Sequence, residues 1–434
     1  MNKKNAVNKK YLVMFALIQF PLRFDNYVYV TYFFIYFLPL LYLIYNIDWS
    51  IDFIKRVSQT YAGLSIILFI GLFVESFFWP IITGTLDFSF VTEYWRRFFL
   101  LLIKNLFLLS FYEKNIGKRQ KNMEDYIMYY LYSVVLYICF TVLTLIFKDL
   151  REVLLDCLYL TEKNRVDLQY ASYFTRFGWS GWSGFDETML CTIGVSLSCI
   201  LILKHTNETG VQMRFLFLAG AMLVGNMFYG RTGLTISLLC LMLTSVITFF
   251  RGQLKFVFLL IVLLVFAIGS LLFLKQYVPA INNWFDWAFS AFINLIESGR
   301  FRDNTGSLGY LFDKMYWIPQ VDTLLLGDGY YTFAGKYYME TDSGIMRLML
   351  YFGIINYLMG ITAYILILYA FIKKNCEGKM GREKIGIFIM LLVMMALFEV
   401  KGESFYKMVC IFLPMAFIKQ EKLINVKGVV KVVK

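Results

Sequence analysis

An all-α integral membrane protein is the fold class this sequence predicts, on three observations. Its 434 residues are 59% hydrophobic, 19% aromatic and only 17% charged, with a mean hydropathy of +0.63, whereas soluble domains hold about 45–50% apolar and about 25% charged residues. Apolar runs near the length of about 20 residues needed to span hydrocarbon recur along the chain. The basic residues cluster between alternate runs rather than spreading evenly. Cytosolic enzymes, nucleic-acid binders and secreted disulfide scaffolds are thereby largely excluded. The net charge of +12 reads as membrane topology rather than as a nucleic-acid footprint.

About twelve spans follow. They cover roughly 9–24, 27–46, 61–83, 96–112, 126–147, 187–203, 213–229, 232–250, 255–275, 343–372, 384–400 and 404–419. The first and fourth are the weakest, since one meets Pro21 early and the other carries Lys104. No small-residue cleavage site follows the first apolar run, so no cleaved signal peptide is expected. With the N-terminus inside, four basic clusters fall on one side: Lys3/Lys4/Lys9/Lys10, Lys114/Lys118/Arg119/Lys121, Lys373/Lys374/Lys379/Arg382/Lys384 and Lys422/Lys427/Lys431/Lys434. Cytoplasmic loops carry the Lys/Arg excess, so both termini are expected in the cytoplasm and the whole chain forms a single polytopic domain.

Two connections assigned to the outside, about 148–186 and about 276–342, greatly exceed the usual median of about 4–6 residues. Their Trp, Tyr, Phe, Gly and mixed charge set them apart from disordered linkers and mark them as the working surface. In the second, Trp284, Phe285, Ala288, Phe289, Phe292, Ile293 and Ile296 recur at helical spacing, predicting an amphipathic helix over about 283–297. It either lies in the outer interface or packs on the bundle. A further helix is expected near 307–317, capped by Asp303, Asn304 or Thr305.

Several chemistries are excluded. The only histidine, His205, falls on an expected cytoplasmic loop, which rules out an external Ser–His–acid triad. Neither a phosphate-binding G-x-x-x-x-G-K-[ST] loop nor zinc-spaced Cys/His is present. Of seven cysteines only Cys157 lies clearly in an outer loop, so no disulfide framework is indicated. A strict D-x-D is absent from the outer loops; Glu340-Thr341-Asp342 comes nearest. Any sugar chemistry is therefore expected to be independent of metal, and no cofactor is implied.

The outer face offers arginine beside glycine and aromatic residues. The first cluster runs from Arg176 through Trp179 and Trp182 to Glu187, where tryptophan could stack on a sugar or simply anchor the loop. The second is the turn Tyr229-Gly230-Arg231-Thr232-Gly233, which sets Arg231 at the mouth of the bundle, either functional or reaching lipid headgroups. The third holds Arg300, then Gly327-Asp328-Gly329-Tyr330-Tyr331, then Thr341-Asp342-Ser343-Gly344 with Arg347 about one turn into the membrane. Asp342 stands where either a helix cap or a catalytic carboxylate belongs. Guanidinium groups bind phosphate bidentately and keep their charge in a partly dry site, so the collection suits a membrane-anchored pyrophosphate. Glu75 and Lys104, at similar depth, read as a structural ion pair.

With its spans, cytoplasmic termini, two enlarged outer loops and the string Gly327-Asp328-Gly329 … Thr341-Asp342-Ser343-Gly344 … Arg347 … Gly353, the chain resembles the bacterial O-antigen polymerases (Wzy type), within a set that includes O-antigen ligases. The resemblance covers nearly the whole chain as architecture but rests on few, short motifs. It implies a GT-C-like, metal-independent glycosyltransferase of the bacterial cytoplasmic membrane. Such an enzyme joins undecaprenyl-pyrophosphate-linked repeat units of O-antigen, capsule or exopolysaccharide on the outer face, beside a flippase and a chain-length regulator. On this chain it makes Asp342 the candidate general base or orienting carboxylate, and Arg231 a catalytic candidate that also grips pyrophosphate. Arg176, Arg300 and Arg347 become candidates for gripping pyrophosphate, with Trp179 and Tyr330 as glycan contacts. The R-x10-G pattern that some members carry in both loops is absent here. Ligases place a histidine in the second loop, where this chain has Asp342. A lipid-linked oligosaccharide flippase is the alternative from another class, expected to have short outer loops and charge deep in a central cavity.

Overall fold

A computed structural model describes residues 8–116, 122–170, 176–205, 208–254, 307–375 and 383–419, with scattered positions between 257 and 299 and two terminal strands. Seven helices among these residues are long and apolar enough to cross a membrane, which makes the chain a multi-pass membrane protein. They are α2 (Asp25–Tyr45), α4 (Ala62–Ile82), α6 (Met123–Ile146), α9 (Phe185–Lys204), α10 (Thr209–Tyr229), α11 (Arg231–Phe250) and α14 (Gly344–Asn375).

The other expected spans differ for local reasons. Helix α1 is only Lys9–Gln19, about 16 Å long. Asn8 caps its start by accepting the Tyr11 amide at 3.2 Å, and Pro21 forces the chain before it out of helix. Helix α5 (Arg96–Phe111) carries Arg96, Arg97 and Lys104 and is extended at both ends by π-helical turns. Helix α15 (Glu383–Lys401) has charges at both ends, and α16 (Phe405–Ala416) is short. The span expected at 255–275 lies mostly outside the described residues, as do Arg300 and the proposed caps at 303–305. The amphipathic helix is described only at 285, 289–290 and 293–298, where it is helical. The helix expected near 307–317 runs over Ser307–Lys314 (α12).

Helix α3 (Ile47–Ser58) went unanticipated. Trp49, Phe53 and Val57, four residues apart, bury one face. The Trp49 indole donates to Glu113 Oε2 at 2.7 Å, and Arg56 pairs with Glu113 at 3.1 Å. Among the described residues, three two-stranded hairpins also depart from a purely helical chain: β1 (Phe177–Gly178) with β2 (Gly181–Trp182), β3 (Thr332–Phe333) with β4 (Lys336–Tyr337), and β5 (Lys422–Val426) with β6 (Val429–Val433).

Helix α9 is the centre of the bundle. Nearly all of its side chains are buried, and small residues let its neighbours close in: a Cβ on Gly194 would stand 2.2 Å from Met222 Sδ. The first long loop folds back on the α1–α2 turn through α7 (Lys148–Cys157) and α8 (Glu162–Tyr170). Its Leu155, Leu158, Leu160 and Leu168 pack with Phe177, and the Tyr159 amide donates to the Arg23 carbonyl at 2.8 Å.

The second loop is tied to α14 at a break in that helix. Gly353 adopts φ +79°, and its non-helical turn leaves carbonyls of the preceding turn without helical partners. The amides of Asp328 and Gly329 supply them, donating to Leu350 at 2.6 Å and Tyr351 at 3.2 Å. Helix α13 (Val321–Leu326) lies so close that a Cβ on Gly353 would meet the Leu325 carbonyl oxygen at 2.1 Å. Only glycine satisfies both the positive φ and this approach. The motif Gly327-Asp328-Gly329 and the distant Gly353 are thus two halves of one joint.

Candidate functional site

Where α1 and α2 meet α5, α9 and α16, a polar cavity of about 700 Å³ opens beside the start of α9, the helix that follows the first long loop. Its cations are Arg23 from the α1–α2 turn, Arg96, Arg97 and Lys104 from α5, and Lys407 from α16. Arg97 and Lys104 are seven residues apart on one helix face, so the cations descend about 10 Å along α5. Lys104 is buried and donates to the Gln19 carbonyl at 3.2 Å, an acceptor freed where Pro21 ends α1. Lys407 donates to Asp186 Oδ1. The hydroxyl-bearing rings of Tyr32, Tyr36 and Tyr406 complete the polar wall, with Asn105 and Glu187.

Next to this cavity stands a buried cluster where the second loop meets α14 and the α15–α16 turn. Arg347 pairs with Glu403 at 3.2 Å, each 5% exposed, and its guanidinium lies 4.1 Å from the Tyr331 ring centroid and 3.5 Å from that of Tyr337. The Tyr331 hydroxyl donates to Glu403 at 2.6 Å. Two donors of Arg347, Nε and Nη2, are buried without a hydrogen-bond partner. Tyr337 also lines an outer, shallower pocket of about 470 Å³ with Glu93, Thr332, Lys336, Glu340 and Asp342. Glu93 pairs with Arg97 at 3.7 Å, so the outer pocket and the cationic cavity adjoin at Arg97.

In that outer pocket Asp342 is exposed. The helix cap is its neighbour Ser343, whose Oγ accepts the Met346 amide at 3.4 Å. Lys336 holds the exposed Glu340 carboxyl below its usual range through a 2.7 Å hydrogen bond. Tyr330 is half-buried and stacks on Tyr338, whose hydroxyl donates to Asp328 at 3.1 Å. Burial, with Asp328 beside it, pushes the Tyr338 hydroxyl up to about 12.

The remaining expected residues lie elsewhere. Arg231 starts α11 and donates to the buried Ser290 Oγ at 3.2 Å, joining the bundle to the partly described second-loop helix rather than lining the cavity. Arg176 stands over the Trp182 ring at 5.8 Å. Trp179 is 9% exposed; its indole donates to the Phe20 carbonyl at 2.6 Å and its ring packs on Tyr137. A stacking role for Trp179 would require this packing to open. The glycine beside it serves a close approach of another kind, since a Cβ on Gly178 would collide with the Tyr137 hydroxyl at 2.3 Å.

Glu75 and Lys104 do not form the expected ion pair. Glu75 accepts from Asn356 Nδ2 at 2.6 Å on α14, while Lys104 faces the cavity. His205 is paired with Glu124 at 3.0 Å at the opposite end of α9 from Asp186.

Sequence reasoning missed most of the cavity. Arg23, Arg96, Arg97 and Lys407 drew no attention, and Asp186 appeared only within a loop string. One signal was available: two cations seven residues apart in an otherwise apolar helix share a face and must be satisfied together. Comparison with known protein families, curated proteins and solved structures returns no match to this chain.

Proposed function

We propose that this protein is a polysaccharide polymerase. In this reading it joins undecaprenyl-pyrophosphate-linked repeat units on the outer face of a bacterial cytoplasmic membrane, with about twelve spans and both termini inside. The observation that carries the reading is the adjoining of the five-cation cavity to a carboxylate-bearing outer pocket. A lipid diphosphate needs concentrated positive charge at headgroup depth, and five cations against two carboxylates supply it. Glycosyl transfer needs that charge too, because electrons leaving the anomeric C–O bond accumulate on the departing diphosphate. The outer pocket, with Asp342, Glu340, Thr332 and Tyr337, suits the sugar rings of an acceptor whose attacking hydroxyl reaches into the cationic cavity where the two adjoin. Arg347, sandwiched between tyrosines, backs Tyr337 in the lining of the outer pocket.

A lipid-linked oligosaccharide flippase is the second reading, favoured by the depth of Lys104 within the cavity. Against it, Tyr11, Phe15, Tyr112, Tyr126 and Tyr129 fill the bundle toward the other face with buried rings. An O-antigen ligase would need its histidine outside, and His205 stands with Glu124 at the far end of α9.

Purified protein with a synthetic polyprenyl-diphosphate repeat unit, without nucleotide or added metal, provides the test. A ladder of longer glycans, reduced at least tenfold in Arg97→Gln and in Lys104→Met, supports the reading. Unchanged substrate, together with movement of that lipid across a vesicle bilayer, would replace it with the flippase.

A further inference from the structure

Two carboxylates line the cationic cavity, and they are not equivalent. Glu187 is committed to its own helix: Oε2 accepts the Gly184 amide at 2.8 Å and closes the first turn of α9. Asp186 reaches across to α16, where Oδ1 accepts from the Lys407 ammonium, itself largely buried, while 62% of the Asp186 side chain stays exposed within the cavity. The groups around it are Lys407 from α16, Arg97 and Lys104 from α5, Tyr36 from α2, Arg23 from the α1–α2 turn, Tyr406 and Glu187. Asp342, by contrast, stands in the outer pocket and does not line this cavity.

An ammonium shared between a carboxylate and a diphosphate favours the diphosphate, which brings more charge and more acceptor oxygens. Lys407 lies in one cavity with Arg97 and Lys104, where such a group would be held. A carboxylate that gives up its ammonium has lone pairs free for a hydroxyl proton.

Resting on the glycosyl-transfer reading, we propose that Asp186 is the general base of the reaction and that Lys407 holds it until the lipid diphosphate binds. The step balances as follows. The acceptor hydroxyl oxygen forms a bond to the anomeric carbon, the bond from that carbon to the diphosphate oxygen breaks, and its electron pair leaves with the diphosphate. The hydroxyl proton passes to Asp186 Oδ. Substrate thus releases its own base, and the carboxylate stays masked by Lys407 while no donor is bound.

The test uses the full chain in lipid nanodiscs with the synthetic polyprenyl-diphosphate repeat unit, reading the initial rate of ladder formation, with the Kd for inorganic pyrophosphate measured separately. Asp186→Asn is expected to slow the ladder about 100-fold or more, in the range general bases contribute, with the pyrophosphate Kd unchanged or tighter. Asp186→Glu should recover activity to within about tenfold of wild type. Asp186→Ala supplies an independent arm, since added formate should restore at least about tenfold of its lost rate. A ladder from Asp186→Asn within a few-fold of wild type overturns the inference, as does a rate loss explained by weaker pyrophosphate binding with neither Glu nor formate rescue. No ladder from the wild-type protein would instead sink the polymerase reading itself, which separates the two failures.

Discussion

Glu403→Gln isolates one charge in the buried cluster beside the cavity. The glutamine keeps an oxygen for the Tyr331 hydroxyl, 2.6 Å away in the native protein, but removes the negative charge that faces Arg347 at 3.2 Å. Opposite charges at that separation attract by about 5 kcal/mol at an effective dielectric near 20. Breaking a buried pair from one side usually costs about 3–5 kcal/mol, because the surviving charge is left uncompensated. Arg347 would not be wholly abandoned, since Tyr331 and Tyr337 offer their ring faces on either side, each worth up to about 2 kcal/mol when desolvated. A destabilisation of about 2–3 kcal/mol is therefore expected.

The assay is a double-mutant cycle of Glu403→Gln, Arg347→Met and the double variant, followed by reversible unfolding in mixed micelles. The double variant should be less damaged than the sum of the singles by about 2 kcal/mol, since it leaves no unpaired charge. Additivity within about 0.5 kcal/mol would refute the reasoning and mean that the two groups are solvated separately.

Three further outcomes follow from other parts of the molecule. Gly353→Ala combines a strained positive φ with a contact of 2.1 Å to the Leu325 carbonyl oxygen; it should lower stability by about 2 kcal/mol or more, seen as loss of monodisperse protein on heating. Asp52 is held below the usual carboxylate range by a hydrogen bond from Lys419 at 2.7 Å. Its contribution is therefore present above the unfolded-state value and lost as pH falls through the lowered folded one. Because both partners are 43% exposed the contribution is only about a few tenths of a kcal/mol; Asp52→Asn should lose it at neutral pH, where it is fully present, and so flatten the acidic part of the stability–pH curve until variant and wild type coincide at low pH. Cys157 is exposed on α7 of the first long loop, so a membrane-impermeant maleimide should label it in intact cells, and protection until lysis would invert the proposed topology.

Which parts of this protein are legible in its sequence follows from the range over which each is encoded. A run such as Ala62–Ile82 states its own length and apolarity, and a helix start such as Asn122 before Met123 states its own cap. These are properties of neighbouring residues, and a bilayer enforces them because backbone polar groups in hydrocarbon must bond within the segment. The shortened α1 is half legible: Pro21 marks where it ends, but not that the Gln19 carbonyl thereby becomes the partner of Lys104. The joint between Gly327-Asp328-Gly329 and Gly353 shows in the sequence as glycines without a reason. The reason is a close passage of two chain segments that periodicity does not register.

The cationic cavity lies at the far end of this scale. Arg23, Arg97, Asp186 and Lys407 stand on four segments spread over most of the chain, and each looks locally like an interfacial residue at a helix end. Arg231 and Arg347 looked the same; packing sends one to Ser290 on the second-loop helix and the other to Glu403 between two tyrosines. An isolated charge near a membrane surface has many low-energy solutions, in headgroups, water or a neighbouring helix. The sequence therefore leaves its partner open, and only the packing of distant helices around a shared polar space selects one.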